Sequence, residues 1–340
     1  MRRLELVDYG PLPDAVRFAD APLPPIGDHE LRIRVHAAAL NPIDYKVIHG
    51  ALRGVIPLEL PAALGFDCSG HVDAVGARVG DFAPGDPVYV RAPRQHMGSL
   101  AEYLAVEARL VARAPGRLTL TEAAAMPLVA LTTVQGLVDR AHAQRGQRIL
   151  IHAGSGGLGS FAVQYAKHEL GLHVTTTTSR RNADWVGQLG ADVVIAYDEQ
   201  DYRVLPARYD IVFDTLGGST TADSFKVLRR GGTVVSVAGP PDWSFAAQVG
   251  ASAPMAAAMW ARGLPMELRA RLQGGRYYRY LTESDGAQLT RIAEVIDAGK
   301  LRAVIDREFS FDRAIEALQY LEAGRAKGKV VVQVEDQAAS

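Results

Sequence analysis

Apolar and polar residues alternate in short segments over the first 120 residues of the chain. The segment LRIRVHAA at Leu31–Ala38 alternates as a half-buried strand does, because successive side chains on a strand point to opposite faces. Gly and Pro residues separate it from similar segments at 65–76, 84–90 and 98–106. This pattern predicts a compact antiparallel β domain.

The pattern changes near Thr121, where apolar residues begin to recur at helical spacing over 121–141. Strand-like and helix-like segments then follow each other in turn, which is typical of parallel βαβ units. Strands are predicted at Arg148–His152, Leu172–Thr178, Val193–Tyr197, Tyr209–Asp214 and Thr233–Val237, with helices after Gly159 and over Asp184–Leu189 and Thr220–Leu228. Residues 240–275 interrupt this alternation and predict a loop with one or two helices. Tyr277–Thr282 is predicted to be one more strand.

The C-terminal segment Ser284–Ser340 has a residue pattern more similar to that of the N-terminal part than to that of the middle of the chain. It predicts two amphipathic helices, Gly286–Ala298 and Asp312–Ala323, followed by the strand Lys329–Val334. We therefore predict a discontinuous first domain formed by residues 1–124 and 285–340. A second domain of α/β type, residues 125–284, is inserted into it.

Composition and charge narrow the possible partners of the chain. Its 340 residues carry 37 basic and 38 acidic side chains, a net charge of −1, so we expect no nucleic-acid partner. No window reaches the ~18 apolar residues of a membrane helix, and Glu5 and Asp8 interrupt the region where a signal peptide is apolar. Cys68 is the single cysteine, which excludes an intramolecular disulfide and a thiol-rich metal site. We expect a cytoplasmic protein without a membrane partner.

A glycine-rich loop follows the first predicted strand of the second domain. In HAGSGGLG (152–159) the spacing Gly154-x-Gly156-x-x-Gly159 matches the dinucleotide-binding fingerprint. In this motif the first glycine permits a tight turn, the second admits the diphosphate and the third allows the helix to pack on the strand. The helix N-terminus then offers free N–H groups to the diphosphate. We predict that the whole loop, Gly154, Ser155, Gly156, Gly157, Leu158 and Gly159, binds the cofactor; a glycine-rich turn without a ligand is the alternative.

The end of the second predicted strand indicates which dinucleotide is bound. A carboxylate at this position usually holds the ribose 2′-OH of NAD, whereas here the chain continues Ser179-Arg180-Arg181. A hydroxyl and two guanidinium groups suit a 2′-phosphate, because arginine combines charge with paired donors. The sequence therefore predicts NADPH as the cofactor, with a solvated basic turn as the alternative.

Several motifs in this order resemble the medium-chain dehydrogenase/reductase superfamily, in particular its quinone- and enone-reductase branch. They are NPIDYK (41–46), LGFDCSGHV (64–72), GDPVY (85–89), GSLAEY (98–103), AAAMPLVALTT (123–133), HAGSGGLG (152–159), GADVVIAY (190–197), YDIVFDTLGG (209–218) and GKVVV (328–332). The resemblance covers nearly the whole chain. It implies a Rossmann doubly wound parallel sheet inserted in a GroES-like, mainly antiparallel β catalytic domain.

The resemblance also indicates an enzyme without zinc. Zinc-dependent members of the superfamily use a cysteine and a histidine at the positions that read Asn41 and Phe66 here, and neither of these residues is a zinc ligand of that type. The four closely spaced cysteines of the structural zinc lobe are absent from the sequence as well. We expect no metal site.

The resemblance places NPIDYK beside the nicotinamide. Without a metal, the developing charge on a carbonyl oxygen must be stabilised by hydrogen bonds, so Asn41, Tyr45 and Lys46 are the candidate catalytic residues. The alternative is a turn at Asn41-Pro42 with Asp44 as a helix N-cap. The resemblance adds cofactor contacts from Thr132, Tyr197, Val237, Ala238, Gly239 and Lys329.

We therefore expect an NADPH-dependent oxidoreductase that transfers hydride to small enones or quinones. An enoyl-thioester reductase, and a dinucleotide-binding protein without turnover, are the alternatives. The predicted strand Tyr277–Thr282 would be an exposed sheet edge unless it is paired, and we expect a homodimer formed through it.

Overall fold

The computed structural model describes residues 1–206 and 208–335, which divide into two units. Unit 1 comprises Met1–Leu131 and the described residues from Glu283 onward, and unit 2 comprises Thr132–Thr282. The sequence places these boundaries at 124/125 and 284/285. Ala125, which the prediction assigns to the second domain, packs in unit 1, where it and Ala124 cover Ala37, Ala39 and Val331.

Unit 1 is built on two β-sheets. Its elements are β1 (Arg2–Leu6), β2 (Val16–Asp20), β3 (Glu30–Leu40), α1 (Pro42–Ile48), β4 (Ala62–Ala63), β5 (Asp67–Val75), β6 (Pro87–Arg91), β7 (Tyr103–Glu107), β8 (Val111–Arg113) and α2 (Leu120–Ala124), then α9 (Gly286–Asp297), β15 (Ile305–Ser310), α10 (Ala314–Glu322) and β16 (Lys329–Gln333). The smaller sheet has the strand order β2-β1-β4, and the seven-stranded sheet has the order β15-β16-β3-β5-β6-β8 with β7 also paired to β3. All pairs are antiparallel except β15 with β16.

The central strand β3 explains the hydrophobic pattern of this unit. Leu31, Ile33 and Val35 are buried and alternate with partly exposed residues, as the sequence predicts. From Ala37 to Leu40 every residue is buried. Here Ala124 and Ala125 cover the face that carries Ala37 and Ala39, so the strand passes from a half-buried to a fully buried environment.

Unit 2 is built on a six-stranded parallel sheet. Its elements are α3 (Pro127–Val134, which contains the first boundary), β9 (Arg148–Ile151), α4 (Gly157–Gln164), β10 (His173–Thr178), α5 (Ala183–Gly187), β11 (Val193–Ala196), β12 (Tyr209–Asp214), α6 (Ser219–Val227), β13 (Leu228–Ser236), α7 (Phe245–Gln248), α8 (Ala253–Leu272) and β14 (Arg276–Arg279). The strand order is β11-β10-β9-β12-β13-β14. The chain starts in the middle of the sheet at β9, adds strands outward to β11, returns to the middle at β12 and adds strands outward to β14, which is a doubly wound topology. The predicted fold class, a Rossmann sheet inserted in a mainly antiparallel β domain, is confirmed.

The predicted elements differ from the observed ones at a few places. Strand β15 has no counterpart in the prediction, because most of its residues are exposed or half-exposed and the segment shows no alternation. Strand β13 begins five residues earlier than predicted, at Leu228, and its pairing with β12 is irregular over the glycine-rich segment 229–232. Residues 240–275 form a loop and two helices, α7 and α8, as predicted. No helix in the described ranges is long and apolar enough to cross a membrane.

Candidate functional site

The carboxyl ends of the parallel strands collect most of the predicted cofactor residues. The glycine loop follows β9, Ser179 follows β10, Tyr197 follows β11 and Val237 follows β13. The chain reverses its direction of winding between β9 and β12, which are neighbours in the sheet. Ligands of open α/β sheets bind at the carboxyl edge beside such a switch point.

The three fingerprint glycines differ in what surrounds them. A Cβ atom on Gly154 would lie 2.3 Å from Oγ1 of Thr176, and one on Gly159 would lie 2.1 Å from the carbonyl oxygen of Ala153. A Cβ on Gly156 would meet only the Ala153 oxygen, at an ordinary contact distance of 3.5 Å. Protein packing therefore requires glycine at 154 and 159, whereas nothing within the protein requires it at 156.

The turn before the glycines is held by the neighbouring strand. Thr177 on β10 accepts the N–H of Gly154 at its carbonyl oxygen (2.9 Å) and the N–H of Ala153 at its hydroxyl (3.2 Å). Ala153 has a φ of +55°, a conformation that side chains bearing a Cβ rarely adopt. Beneath it, burial lowers the pKa of His152 to about 4, so this imidazole is neutral at physiological pH. These contacts hold the loop in one conformation. They do not involve the N-terminus of α4, where a ligand can bind.

The tip of β10 carries acidic as well as basic groups. The N–H of Arg180 donates to Oδ1 of Asp198 at 2.8 Å, and its guanidinium pairs with Asp184 at 3.3 Å and Glu199 at 3.9 Å. The sequence places no carboxylate at this tip. Asp198 lies in the turn after β11. It reaches this tip because β11 is paired with β10 in the sheet.

The remaining groups at this tip are differently exposed. Arg181 is exposed and makes no hydrogen bond or ion pair with any residue in the described ranges, so its guanidinium is available to an anion. Ser179 is buried, and its hydroxyl accepts a hydrogen bond from the Asn182 amide at 3.1 Å. Tyr197 donates its N–H to the Thr178 oxygen at 2.9 Å, and the residue is 63% exposed beside the strand end.

The loop after β13 is positioned by the fully buried carboxylate of Asp214. Asp214 accepts the hydroxyl of Ser236 at 2.8 Å, and the Ser236 oxygen accepts the N–H groups of Gly239 (2.7 Å) and Ala238 (3.2 Å). The N–H of Val237 donates to the Asp214 carbonyl at 3.1 Å. The expected cofactor segment 237–239 is therefore tied to the end of β12 through the carbonyl and the carboxylate of Asp214.

Two further contacts fix the surroundings of this loop. Gly217 approaches the loop so closely that a Cβ on it would lie 2.4 Å from the carbonyl oxygen of Ala238. Thr132, which is also expected to contact the cofactor, is buried. Its hydroxyl lies 2.6 Å from that of Thr282, and its carbonyl oxygen accepts the Tyr280 hydroxyl at 2.5 Å. These contacts involve residues of unit 2 alone.

In unit 1 the structure brings Asn41 and Lys329 together with Asp67, a residue that the sequence analysis did not single out. The Asn41 amide donates to Asp67 Oδ2 at 2.9 Å and to the Ala39 oxygen at 3.3 Å, while its own oxygen accepts a close contact from Lys329 Nζ. Lys329 Nζ also donates to the Leu40 oxygen at 3.1 Å and lies 3.4 Å from Asp67 Oδ2. All donors of the Asn41 amide are engaged within the protein.

This geometry bears on two expectations. Lys329 is expected to face the cofactor, but its ammonium is buried in unit 1 and directs its hydrogen bonds to three oxygens of that unit. Asn41 is expected to donate to substrate, but the side chain is 2% exposed and its N–H groups already have acceptors. Both residues therefore belong to a buried polar network.

Two more buried charges adjoin the network. Asp44 is the third residue of α1, and its carboxylate accepts the N–H of Asn41 at 2.7 Å. The N-cap of α1 is therefore Asn41, and Asp44 caps the helix from the N3 position. Burial raises the pKa of Asp44 to about 7, and its Oδ1 atom has no hydrogen-bond partner among the described residues. Burial also lowers the pKa of Arg91 to about 10, although the nearby Asp67 acts in the opposite direction.

Tyr45 and Lys46 lie on the next turn of α1. The Tyr45 ring lies 6.4 Å from that of His49, whose Nε2 is 2.5 Å from Glu322 of α10. Burial, and secondarily the charge of Glu322, raises the pKa of the Tyr45 phenol, so it stays protonated and can donate a hydrogen bond at neutral pH. Lys46 is exposed. The Tyr45 hydroxyl makes no hydrogen bond to the Asn41 network within the described residues.

Asp67 and Arg91 had a sequence signal that went unused. Both are charged residues inside segments that otherwise read as buried strands, GFDCSG and PVYVR. Charged side chains are seldom fully buried unless they are paired, so such positions point to a polar network. The sequence around Asp198 carries no comparable signal. Asp198 meets Arg180 only because β11, the strand that precedes it, pairs with β10 in the sheet.

The residues at the positions of the zinc ligands do not fit zinc. Phe66 is fully buried in the hydrophobic core of unit 1, and the Arg91 guanidinium lies 5.1 Å over its ring. The Asn41 oxygen is already bound to the Lys329 ammonium. Among the described residues, no group of three or more His, Cys, Asp or Glu side chains is arranged to hold a metal ion.

Comparisons with known proteins agree with this fold. A family model described as "Zinc-binding dehydrogenase" matches residues 189–332, and one described as "Alcohol dehydrogenase GroES-like domain" matches residues 27–116. The chain is 34% identical over 345 residues to a 2-methylene-furan-3-one reductase of Solanum lycopersicum, covering 98% of this chain and 79% of the relative. It is 35% identical over 338 residues to an NADPH-dependent alkenal/one oxidoreductase, chloroplastic, of Arabidopsis thaliana, covering 96% and 77%.

A solved structure extends the likeness over the whole fold. The quinone oxidoreductase from Coxiella burnetii superposes with a TM-score of 0.85 at 31% identity, covering 98% of this chain and 99% of that one. The fold, the glycine loop at the switch point and these relatives agree. The chain belongs to the medium-chain dehydrogenase/reductase superfamily and is an oxidoreductase whose cofactor is a nicotinamide dinucleotide.

Proposed function

We propose that this oxidoreductase transfers hydride from NADPH to small conjugated enones or quinones, without zinc. The observation that carries the proposal is the glycine loop, which leaves Gly156 open to a diphosphate, in a chain whose relatives are named as enone, alkenal/one and quinone oxidoreductases. The absence of zinc ligands at Asn41 and Phe66 supports hydride transfer assisted by hydrogen bonds instead of a metal.

The chemistry of the proposed reaction needs two contributions from the protein. A bound reduced nicotinamide would supply a hydride to the β-carbon of the enone, and the resulting enolate would take a proton at its α-carbon. The acceptor carbon must be held roughly 3–3.5 Å from C4, which is a matter of positioning. The enolate oxygen needs a hydrogen-bond donor in place of a Lewis acid.

We assign the donor role to Tyr45 and a positioning role to Asn41. The raised pKa of the Tyr45 phenol keeps its proton in place at neutral pH, and no described residue accepts a hydrogen bond from its hydroxyl. The Asn41 amide is fully occupied by Asp67, Ala39 and Lys329, which supports a role in holding the start of α1 rather than direct contact with substrate. Lys46 is the second candidate donor because it is exposed on the same turn.

The preference for NADPH over NADH rests on the turn after β10. Arg181 offers an unpaired guanidinium and Ser179 a hydroxyl, and one relative is named as NADPH-dependent. Arg180 starts from ion pairs with Asp184 and Glu199, which it must loosen to reach a phosphate. We therefore assign the main 2′-phosphate contact to Arg181, with Arg180, Ser179 and Tyr197 around it.

The test of the function is a substrate screen of the purified protein with NADPH. Loss of the absorbance of the reduced nicotinamide with enones or quinones, dependent on protein, supports the proposal. Faster oxidation with enoyl thioesters than with any free enone or quinone would identify an enoyl-thioester reductase instead. Saturable NADPH binding without oxidation across the whole screen would identify a cofactor-binding protein without turnover.

We further propose a homodimer formed through β14 and a cytoplasmic location. Strand β14 is the last strand of the sheet of unit 2, so one of its edges is left for a second copy. Trp260, Leu268 and Leu272 on α8 are exposed, as expected of a surface that a partner covers. Light scattering at micromolar concentration should give twice the mass of the chain, and a monomer would contradict the dimer.

A further inference from the structure

The ammonium of Lys329 lies inside a cage of oxygen atoms. Its Nζ donates to the carbonyl oxygen of Leu40 at 3.1 Å, contacts the Asn41 side-chain oxygen closely and lies 3.4 Å from Asp67 Oδ2. The side chain is 5% exposed, so three N–H groups face three protein oxygens away from solvent.

The cage oxygens are held in place by contacts that do not involve the lysine. Leu40 ends β3, where it pairs with Val330 of β16. The Asn41 amide donates to Asp67 at 2.9 Å, and Asp67 accepts the N–H of Leu128 at its other oxygen at 3.0 Å. The oxygens therefore keep their arrangement when the cation is taken away.

An arrangement of one carboxylate, one amide oxygen and one backbone carbonyl is the donor set that hard cations prefer. In this chain a covalently attached ammonium fills it. A metal ion would have to displace a cation that is tethered to the same fold and neutralises the buried charge of Asp67.

We propose that Lys329 is the resident cation of an internal cation site, and that its ammonium keeps metal ions out of this site. The site and its occupant are independent of the substrate. The proposal thus stands or falls separately from the proposed enone or quinone reductase activity.

The first experiment removes the cation and returns it as a free molecule. Lys329→Ala deletes the three carbons and the ammonium that make up n-propylammonium. We expect n-propylammonium, and separately Mn²⁺, to raise the melting temperature of this variant by several degrees, since ligands that bind the folded state stabilise it. The neutral analogue 1-propanol is the matched control and should have no such effect.

A second variant separates the cavity from the charge. Lys329→Met fills the space with an apolar chain of similar length, so neither n-propylammonium nor Mn²⁺ should stabilise it. Equal shifts in Lys329→Ala, Lys329→Met and the parent protein would overturn the proposal, as would stabilisation of Lys329→Ala by 1-propanol as large as that by n-propylammonium.

A measurement on the parent protein covers the case in which Lys329→Ala does not fold. With ¹⁵N-labelled lysine, the ammonium of Lys329 should give a slowly exchanging signal, identified by its loss in Lys329→Arg. Excess Mn²⁺ should leave this signal unbroadened if the lysine keeps metal ions out of the cage. Selective broadening of the Lys329 signal by Mn²⁺ would contradict the proposal, as would rapid exchange of its N–H groups with water.

Discussion

The backbone N–H of Arg180 donates a 2.8 Å hydrogen bond to the carboxylate of Asp198, which fixes the turn after β10 against the turn after β11. The Arg180 side chain is drawn to Asp184 and Glu199 at the same time. Of the two arginines that the sequence assigns to the 2′-phosphate, one is therefore engaged with carboxylates and the other, Arg181, is not. This difference makes the two positions experimentally distinguishable.

We predict that Arg181→Ala weakens NADPH binding by about ten- to a hundredfold, which corresponds to the loss of one charge-assisted contact of roughly 1.5–3 kcal/mol. Arg180→Ala should weaken it less, because Arg180 exchanges existing ion pairs for the phosphate contact. Fluorescence titration with NADPH and NADH measures both effects. NADH affinity should be nearly unchanged in both variants, and equal affinities of the parent protein for NADH and NADPH would refute the assignment.

The fingerprint glycines allow a matched pair of substitutions. Gly156→Ala adds a Cβ that the protein itself accommodates, so we expect near-normal stability and a loss of dinucleotide binding. Gly159→Ala places its Cβ 2.1 Å from the Ala153 carbonyl oxygen, so we expect a destabilised protein. Thermal unfolding and NADPH titration of the two variants check this. Unchanged NADPH affinity in Gly156→Ala would show that the diphosphate does not approach this glycine, and Gly156→Val extends the test to a larger side chain.

Tyr45 tests the proposed division between catalysis and cofactor binding. Tyr45→Phe removes the hydroxyl only, and we expect turnover to fall by ~10²–10³ while NADPH affinity changes little, since one donor to a developing oxyanion is lost. Asn41→Ala should also lower turnover, because Asp67 and Lys329 lose their common partner. Steady-state kinetics on the best enone, alongside NADPH titration, measure these effects. If both variants keep near-full turnover, the proton and the donor come from elsewhere.

The raised pKa of Asp44 predicts that the stability of the folded protein depends on pH. This pKa is about 7 in the folded protein against 3.8 ordinarily, because burial disfavours the charged form. The folded state thus binds more protons than the unfolded state between these values, so the stabilising contribution is complete below about pH 4 and is lost as the pH rises through 7. Asp67 raises this pKa further, whereas Lys329 and Arg91 lower it.

The variant Asp44→Asn removes this titration and keeps an oxygen for the Asn41 N–H. Relative to this variant, we expect the parent's free energy of unfolding to fall by roughly 2–4 kcal/mol between pH 4 and pH 8. Denaturant unfolding at a series of pH values measures the difference. The same chemical change at the exposed Asp14 is the matched control for the substitution itself. A flat difference between the parent and Asp44→Asn over this pH range would contradict the prediction.

Much of the architecture follows from local patterns in the sequence. The alternation at Leu31–Ala38, the run Tyr209–Asp214 and the glycine loop at 154–159 each carry their structure in neighbouring residues, since strand periodicity and tight turns are local properties. Strand β12 matches its predicted bounds for this reason. Strand β15 does not follow from its sequence, because a largely exposed edge strand has no hydrophobic pattern to read.

The chain's own sequence determined the order of its elements, the position of the dinucleotide loop and the residue types that replace the zinc ligands. Only the tertiary structure decided which charged groups meet. It brought Asp198 to Arg180 through the order of the sheet, and it brought Lys329 to Asn41 and Asp67 across an interval of almost the whole chain. The physical reason is that strand pairing between distant segments determines which buried charges lie together, and this pairing cannot be inferred from the spacing of residues along the sequence.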